Sequence, residues 1–435
     1  MQNLTPTMTA PRAEHIAATL DLRNLPADFY TNPYPVYTAL RETEPVKRMP
    51  DDSYLLTRHA DLLAVYRDAQ TFSSDKRQEF APKFNLPPFS ADAPAPLFHH
   101  HTNSLVFNDP PLHSRVRQMI MGALTRRAID ELEPGLVRLV DGLLDDMETQ
   151  GGGDLIEDFA SAIPVKVIGN LLGVPSADRE PLRAWSLAIL GALEPQLSAH
   201  QLAQGNAAVS AFTDYLRHLV AARRAQPGDP QHDVLTRLIQ GEGDACLSEA
   251  ELLQNCVFIL NAGHETTTNL IGNALVTLQE WPEQKEFLLS KMKLLEQYSQ
   301  GQEASLTQIL TVAVDEFLRF ESSNQLGNRR AMRDCVVGGV PLPAGTLITL
   351  CIGAANRDPA VFDQSDTLQL NRTPNRHLAF GFGIHQCAGL SLARLEGRVA
   401  IGRFLQRFPG YQLTEAPLRG GRARFRGFLQ AGFSV

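Results

Sequence analysis

No apolar run in this sequence approaches the ~18 residues of a membrane span, so a helix crossing a bilayer is not expected. Cysteine is scarce. Five residues, scattered and odd in number, make a poor disulfide framework and fit a reducing compartment. Positive charge is not in excess either. Forty basic against 48 acidic side chains leave −8, which argues against a general nucleic-acid binder. The 31 glycines and 28 prolines lie close to average usage, ~12%, excluding collagen-like or wholesale disordered chains. The opening residues, MQNLTPTMTAPRAEH, are polar with no apolar centre, so no signal peptide is expected. A chain of 435 residues can bury a large core without staples. A cytoplasmic enzyme is the natural expectation.

Apolar residues at helical spacing dominate what is present. Leu136, Val137, Leu139, Val140, Leu143 and Leu144 fit the i, i+3, i+4, i+7 template, as do Leu392, Leu395 and Val399. Strand signals are short: residues 46–57, and residues 336–352 with Gly-Gly and Pro-Ala-Gly turns. The fold class is therefore mainly α with small β-sheets. Residues 1–25 read as a flexible tail, Gly151–Gly153 and Gln226–Pro230 as inter-helix turns, and residues 26–435 as a single domain. Residues 82–111 hold seven prolines, which makes a helix across them unlikely. His99, His100 and His101 there read as a solvated loop patch, because no partner ligand stands at a metal-motif spacing.

Ser248 and Glu251 form a capping box, so a helix should run from there to about Trp281, stopped by Pro282. Its centre, Asn261 to Asn269, is polar between apolar halves. Unpaired buried polar groups cost free energy, so that patch needs a reason. Ala262 and Gly263 leave room for something flat against the backbone. Threonine hydroxyls can bond to the i−4 carbonyl, and Glu265 beside Thr266 could relay protons. A kinked core helix with satisfied polar groups remains the competing account. His264-Glu265 matches the start of the zinc-protease pattern, which fails because position 268 is threonine. Glu316 and Arg319, three apart among apolar residues, could form a buried bidentate pair.

Residues 380–389 read Phe-Gly-Phe-Gly-Ile-His-Gln-Cys-Ala-Gly, and a helix from Leu390 to about Phe408 follows. Cys387 thus precedes a helix N-terminus, where backbone N–H groups and the dipole favour a thiolate. Gly381, Gly383 and Gly389 permit tight turns. An inert cysteine, a nucleophile and a zinc ligand all compete. The nucleophile lacks a marked Asn or Asp partner, and zinc lacks a second thiol nearby. A lone thiolate in a glycine-laced loop suits an axial haem ligand.

This loop resembles the haem-binding signature of the cytochrome P-450 monooxygenases, Phe-x-x-Gly-x-His-x-Cys-x-Gly, at every position. Other segments agree in order. Ala262 to Thr267 looks like the family's oxygen-binding groove, and Glu316-x-x-Arg319 like its Glu-x-x-Arg pair. Asn356 to Pro359 and His377 to Phe380 resemble flanking motifs. Residues 109–117 resemble the helix that reaches the haem edge. The likeness spans about residues 25–435 and is to the soluble bacterial type.

The resemblance implies a single domain built around haem b (iron protoporphyrin IX), with Cys387 as the iron ligand. It implies that His113, Arg117, Arg329 (with Arg330 the adjacent alternative) and His385 meet the propionates, and that Phe380 packs on the sulfur side. It makes Ala262, Gly263, Gly381 and Gly389 cofactor neighbours, and Glu265 and Thr266 the proton-delivering catalytic pair. The implied reaction inserts one atom of O2 into a small or medium lipophilic substrate. Electrons would come from a separate ferredoxin-type donor with its NAD(P)H reductase, docking near Arg115, Arg126, Arg127 and Arg376. A monomer without membrane anchor or nucleic-acid partner is expected. Lys76, Arg77 and Lys83 read as exposed loop charge before a contact to an acidic substrate. The family often has proline after the Glu-x-x-Arg helix, whereas this chain has Ser322, Ser323, Asn324 and Gln325. Those residues make either a polar pocket wall or an altered turn. A peroxide-driven peroxygenase and a non-enzymatic haem-thiolate sensor are the alternatives.

Overall fold

The computed structural model describes residues 10–84, 95–230, 233–241, 246–297 and 303–435. Helices dominate, as the 3.6-residue spacing requires. The central one is Glu249–Glu280, 32 residues, closed at its start by the Ser248/Glu251 capping box in both directions. At ~1.5 Å per residue it spans roughly 48 Å. It packs against Ala162–Leu171, Glu180–Gly191, Ala199–Ala225, Glu303–Phe320 and Leu390–Arg407. One large apolar cluster runs through all of these helices.

The largest sheet has five short strands in the order Val46–Arg48, Tyr54–Leu56, Leu347–Cys351, Leu326–Ala331, Phe72–Ser73. Only the Tyr54–Leu56/Leu347–Cys351 pair is parallel, with Tyr54 opposite Ile348. Both strand regions read from the sequence therefore lie in this sheet or, for Cys335–Val337 and Val340–Leu342, in a hairpin beside it. A C-terminal hairpin pairs Leu418–Arg419 with Phe428–Gln430. No helix among the described residues is long and apolar enough to cross a membrane.

Several expectations need correction. The supposed tail holds a helix, Ala10–Thr19, which packs on Tyr34–Thr43 and buries Ala13 and Ala17. Its apolar face is made of alanines, too weak a pattern to stand out. Gly152–Asp154 is a strand pairing with Gly432–Ser434, not simply a turn. In the proline-rich segment, residues 85–94 lie outside the described residues, but Pro96–Asn103 is a helix with proline at its first turn, where the missing N–H costs nothing. That helix buries His100 and His101 to 2% and 1% exposure, so they are not a solvated patch. His100 Nδ1 meets Gln254 Oε1 at 2.9 Å, and His101 stacks on Phe80. No metal-holding cluster of His, Cys, Asp and Glu occurs among the described residues.

Candidate active site

The site is built from three chain segments that the fold brings together. The first is the cysteine loop. Gly381 and Gly383 have φ of 64° and 73°, a left-handed backbone that favours glycine. A Cβ at Gly383 would also collide with the Tyr66 carbonyl oxygen. These turns let Cys387 N–H donate to Phe380 O at 2.9 Å, and they aim the loop into the helix Leu390–Arg407, whose N-cap is Gly389. Phe380 lies under the Arg394 guanidinium, 5.0 Å from its ring centre.

Burial pushes the Cys387 thiol above its ordinary range, although the Gly389 N–H, Arg117 and Arg394 pull the other way. Desolvation of the anion outweighs a helix end. The anionic sulfur therefore needs a cation directly on it, as a metal ion provides.

The second segment is the middle of the central helix. Between Leu252 and Leu278 only Phe258, Ile259, Ala262, Gly263 and Thr266 keep appreciable surface. Their spacing of three to four places them on one face, leaving one open strip on an otherwise buried helix. Thr266 Oγ1 donates to Ala262 O at 2.7 Å and Thr268 Oγ1 to His264 O at 3.0 Å. Glu265 points elsewhere: it ion-pairs with Arg422 of the C-terminal hairpin. Successive helical residues diverge by about 100°, so adjacency in sequence does not make Glu265 and Thr266 share a face. Burial raises the Glu265 carboxyl to about 7, against the lowering effect of Arg422. Gly263 lies on this strip and also faces a neighbouring helix. A Cβ there would meet the tip of Ile168, Cδ1 at 2.5 Å, on the helix Ala162–Leu171.

The third segment is basic. His113 and Arg117 sit on the helix Leu112–Ala123, Arg329 on the strand Leu326–Ala331, and His385 in the cysteine loop. The His113 and His385 rings are 4.1 Å apart. Burial, then Arg329, His113 and Arg117, drive His385 down to about 2. Burial and Arg117 also lower His113. It is Arg329, rather than its neighbour Arg330, whose charge acts on both histidines. Both ring nitrogens of His113 and Nε2 of His385 are buried without a hydrogen-bond partner. Among the described residues neither Arg117 nor Arg329 has a carboxylate partner for an ion pair; Arg329 donates only to its neighbour's Asn328 O. Four converging donors without an anion fit the paired carboxylates of a haem.

The Glu316/Arg319 pair is fully buried and bidentate, both contacts at 2.8 Å. Arg319 also donates to the carbonyls of Asn356, Ser365 and Thr367. Arg372 is a third member the sequence did not reveal. It reaches both Glu316 oxygens at 3.1–3.2 Å from 56 residues away, a spacing with no local signature. Asn356 Oδ1 then accepts Leu378 N–H at 2.6 Å, tying this node to the start of the cysteine loop.

The remaining charges are mostly spoken for. Lys76 is buried and paired with Glu79 at 2.7 Å, and Lys83 lies over the Phe80 ring. Neither is exposed loop charge, whereas Arg77 pairs with Asp75. Arg115 is tied to Glu251 and the Cys246 carbonyl, and Arg126 and Arg127 pair with Asp130 and Glu131 one turn on. Ser322 and Gln325 form a turn: Ser322 Oγ donates to Leu318 O, and Gln325 Nε2 to Ser322 O, each at 2.8 Å. These two make an altered turn rather than a pocket wall.

Comparison with known proteins agrees with this geometry. The cytochrome P450 family model matches residues 190–414. The Biotin biosynthesis cytochrome P450 of Bacillus subtilis (strain 168) is 33% identical, over 91% of this chain and 95% of its own. The Vitamin D(3) 25-hydroxylase of Pseudonocardia autotrophica is 37% identical, over 89% of each. A crystal structure of a P450 in complex with an acyl carrier protein ligated to hexadec-9Z-enoic acid superposes with a TM-score of 0.84. It is 31% identical and covers 94% of this chain and all of that one.

Proposed function

The chain belongs to the cytochrome P450 family, and on that premise we propose that Cys387 ligates the iron of haem b while His113, Arg117, Arg329 and His385 hold its propionates. The protein is a monooxygenase, placing one atom of O2 in an organic substrate. Haem supplies oxygen activation, with the thiolate donating electron density that favours O–O cleavage. The observation that carries the residue assignment is the set of unpartnered buried nitrogens on His113 and His385 beside two arginines and the cysteine loop.

The chain's own residues divide the remaining work. Thr266 Oγ1 spends its proton on Ala262 O and keeps its lone pairs free to accept a hydrogen bond on the open strip. Glu265, titrating near neutrality, stores a proton behind it. Phe80, Phe98, Leu190, Leu193 and Phe425 form a separate apolar cluster joined by Phe84 and Phe107. A lipophilic substrate is in line with a relative named Vitamin D(3) 25-hydroxylase and with a neighbour in complex with an acyl carrier protein ligated to hexadec-9Z-enoic acid. We assign electron supply to a separate ferredoxin-type protein and its NAD(P)H reductase, with a monomeric enzyme.

The test is the absorption spectrum of the reduced protein under carbon monoxide. A strongly red-shifted Soret band, lost in Cys387→Ser, is the expected result. A band typical of histidine-ligated haem in the wild type would overturn the ligand assignment.

A further inference from the structure

Three cations converge from two distant parts of the chain. Lys76 and Lys83 stand on either side of the short helix Arg77–Phe80, and Arg424 lies in the loop joining the strands of the C-terminal hairpin. Their closeness shows in Glu79. Burial would raise its carboxyl, but Lys76, Lys83 and Arg424 together hold it at about 2. Lys76 takes the ion pair with Glu79. Among the described residues neither Lys83 nor Arg424 has a carboxylate at ion-pair distance from its side chain. Lys83 rests on the Phe80 ring. The Arg424 guanidinium donates to the carbonyls of Leu193 and Leu326, each at 2.9 Å, and to Asn328 Oδ1. Glu194, the second carboxylate that acts on Lys83, accepts the backbone N–H groups of Ala423 and Arg424 at 2.9 and 3.2 Å. Three cations thus face two carboxylates. Burial, with Arg424 adding to it, lowers Lys83 and takes Lys76 down to about 8, as expected for positive charge short of compensation.

His101 lies beside these cations, 1% exposed, with both ring nitrogens buried and without a hydrogen-bond partner. Burial, then His100, Lys83 and Arg424, hold its ring neutral, although the Ile189 carbonyl favours a proton on it. A neutral imidazole keeps one donor and one acceptor. The ring stacks on Phe80 and meets Phe107 edge-on, so these polar atoms sit at the margin of the phenylalanine cluster. The place adjoins the propionate cradle. Asn328 and Arg329 are consecutive on the strand Leu326–Ala331, and successive strand side chains take opposite faces. Asn328 holds Arg424, while Arg329 acts on His113 and His385 and also on Lys76.

We propose that Lys83, Arg424 and His101 form an anion site in the substrate pocket, and that the substrate is a lipophilic carboxylate whose charge completes this cluster while its apolar part lies on Phe80, Phe98 and Phe425. The inference rests on the monooxygenase reading and adds the chemical class of the substrate. A single negative charge balances the surplus cation, and a carboxylate accepts charge-assisted hydrogen bonds from lysine and arginine. A neutral ester leaves the surplus uncompensated, and an amine adds to it.

The experiment titrates the holoprotein with hexadecanoate and with cholanate, a steroid carboxylate, each beside its methyl ester and the amine of the same skeleton. Binding is read from the Soret shift, and by calorimetry for ligands that leave the band unmoved. At least one acid should bind about tenfold or more tighter than its ester and its amine, a difference of about 1.4 kcal/mol. Lys83→Met should bring that acid and its ester to within about twofold of each other. Lys83→Arg should keep the preference, and Lys83→Glu should pass it to the amine. Arg424→Gln should weaken the acid more than the ester. Esters bound as tightly as acids by the wild type, no binding of either acid, or an acid preference that survives both Lys83→Met and Lys83→Glu would each overturn the anion site. Failure of the underlying reading would appear separately, as absence of the red-shifted carbon monoxide band in the wild type.

Discussion

Replacing Glu316 by leucine removes the anion shared by two buried arginines. Arg319 and Arg372 are 0% and 8% exposed, and both would keep their carbonyl partners, Asn356, Ser365 and Thr367 for one, Asp363 for the other. Hydrogen bonding therefore survives in part, while neutralisation of two desolvated cations does not. Removing one member of a buried pair costs about 3–5 kcal/mol, and two stranded cations put Glu316→Leu at the upper end. Arg372→Met is different, because the carboxylate retains Arg319, Asn375 Nδ2 at 3.2 Å and Gln369 N–H at 2.9 Å. Its cost should be about 1–3 kcal/mol. Against a total stability of ~5–15 kcal/mol the first change threatens folding and the second does not. Urea unfolding followed by circular dichroism measures both. Because the node pins Asn356, which holds Leu378 N–H, Glu316→Leu should also lower the fraction of thiolate-ligated haem. Equal costs for the two variants, or less than about 1 kcal/mol for Glu316→Leu, would refute the account of Glu316 as the shared counter-ion.

Thr266→Ala should uncouple NAD(P)H consumption from product while leaving the carbon monoxide spectrum intact; unchanged product per electron would remove Thr266 from proton delivery. Gly263→Ala should destabilise by about 1 kcal/mol or less, because only the tip of Ile168 must move, and denaturant midpoints of this variant and of its double with Ile168→Ala check it. Glu265 has a folded value of about 7 against an ordinary 4.5, so it favours the folded state fully below pH 4.5 and loses that contribution as pH rises through 7. The difference is about 3 kcal/mol at most. The stability of Glu265→Gln should accordingly fall less than that of wild type between pH 5 and 8, and parallel pH profiles would count against a buried carboxyl.

Much of this protein is legible in its sequence alone. The 3.6-residue spacing, the Ser248/Glu251 capping box and the loop from Phe380 to Gly389 are local patterns, each governed by backbone geometry within a few residues. They determined the helical class, the start of the central helix and the place of Cys387 just before the helix Leu390–Arg407. The Glu316/Arg319 pair was readable for the same reason. What sequence could not express is which face a side chain takes and what lies opposite. That Gly263 also faces Ile168, from a helix almost a hundred residues earlier, is one such fact. Glu265, on another face of the helix than Thr266, finds its partner in Arg422 on the C-terminal hairpin. Arg372 completes a node across 56 residues, and His100 and His101 are buried because a proline-started helix carries them under the helices around Gln254 and Phe80. Cys387 shows the limit most directly. Its helix end was visible in the sequence, whereas the approach of Arg117 and Arg394 to the sulfur exists only once the whole chain has packed around it.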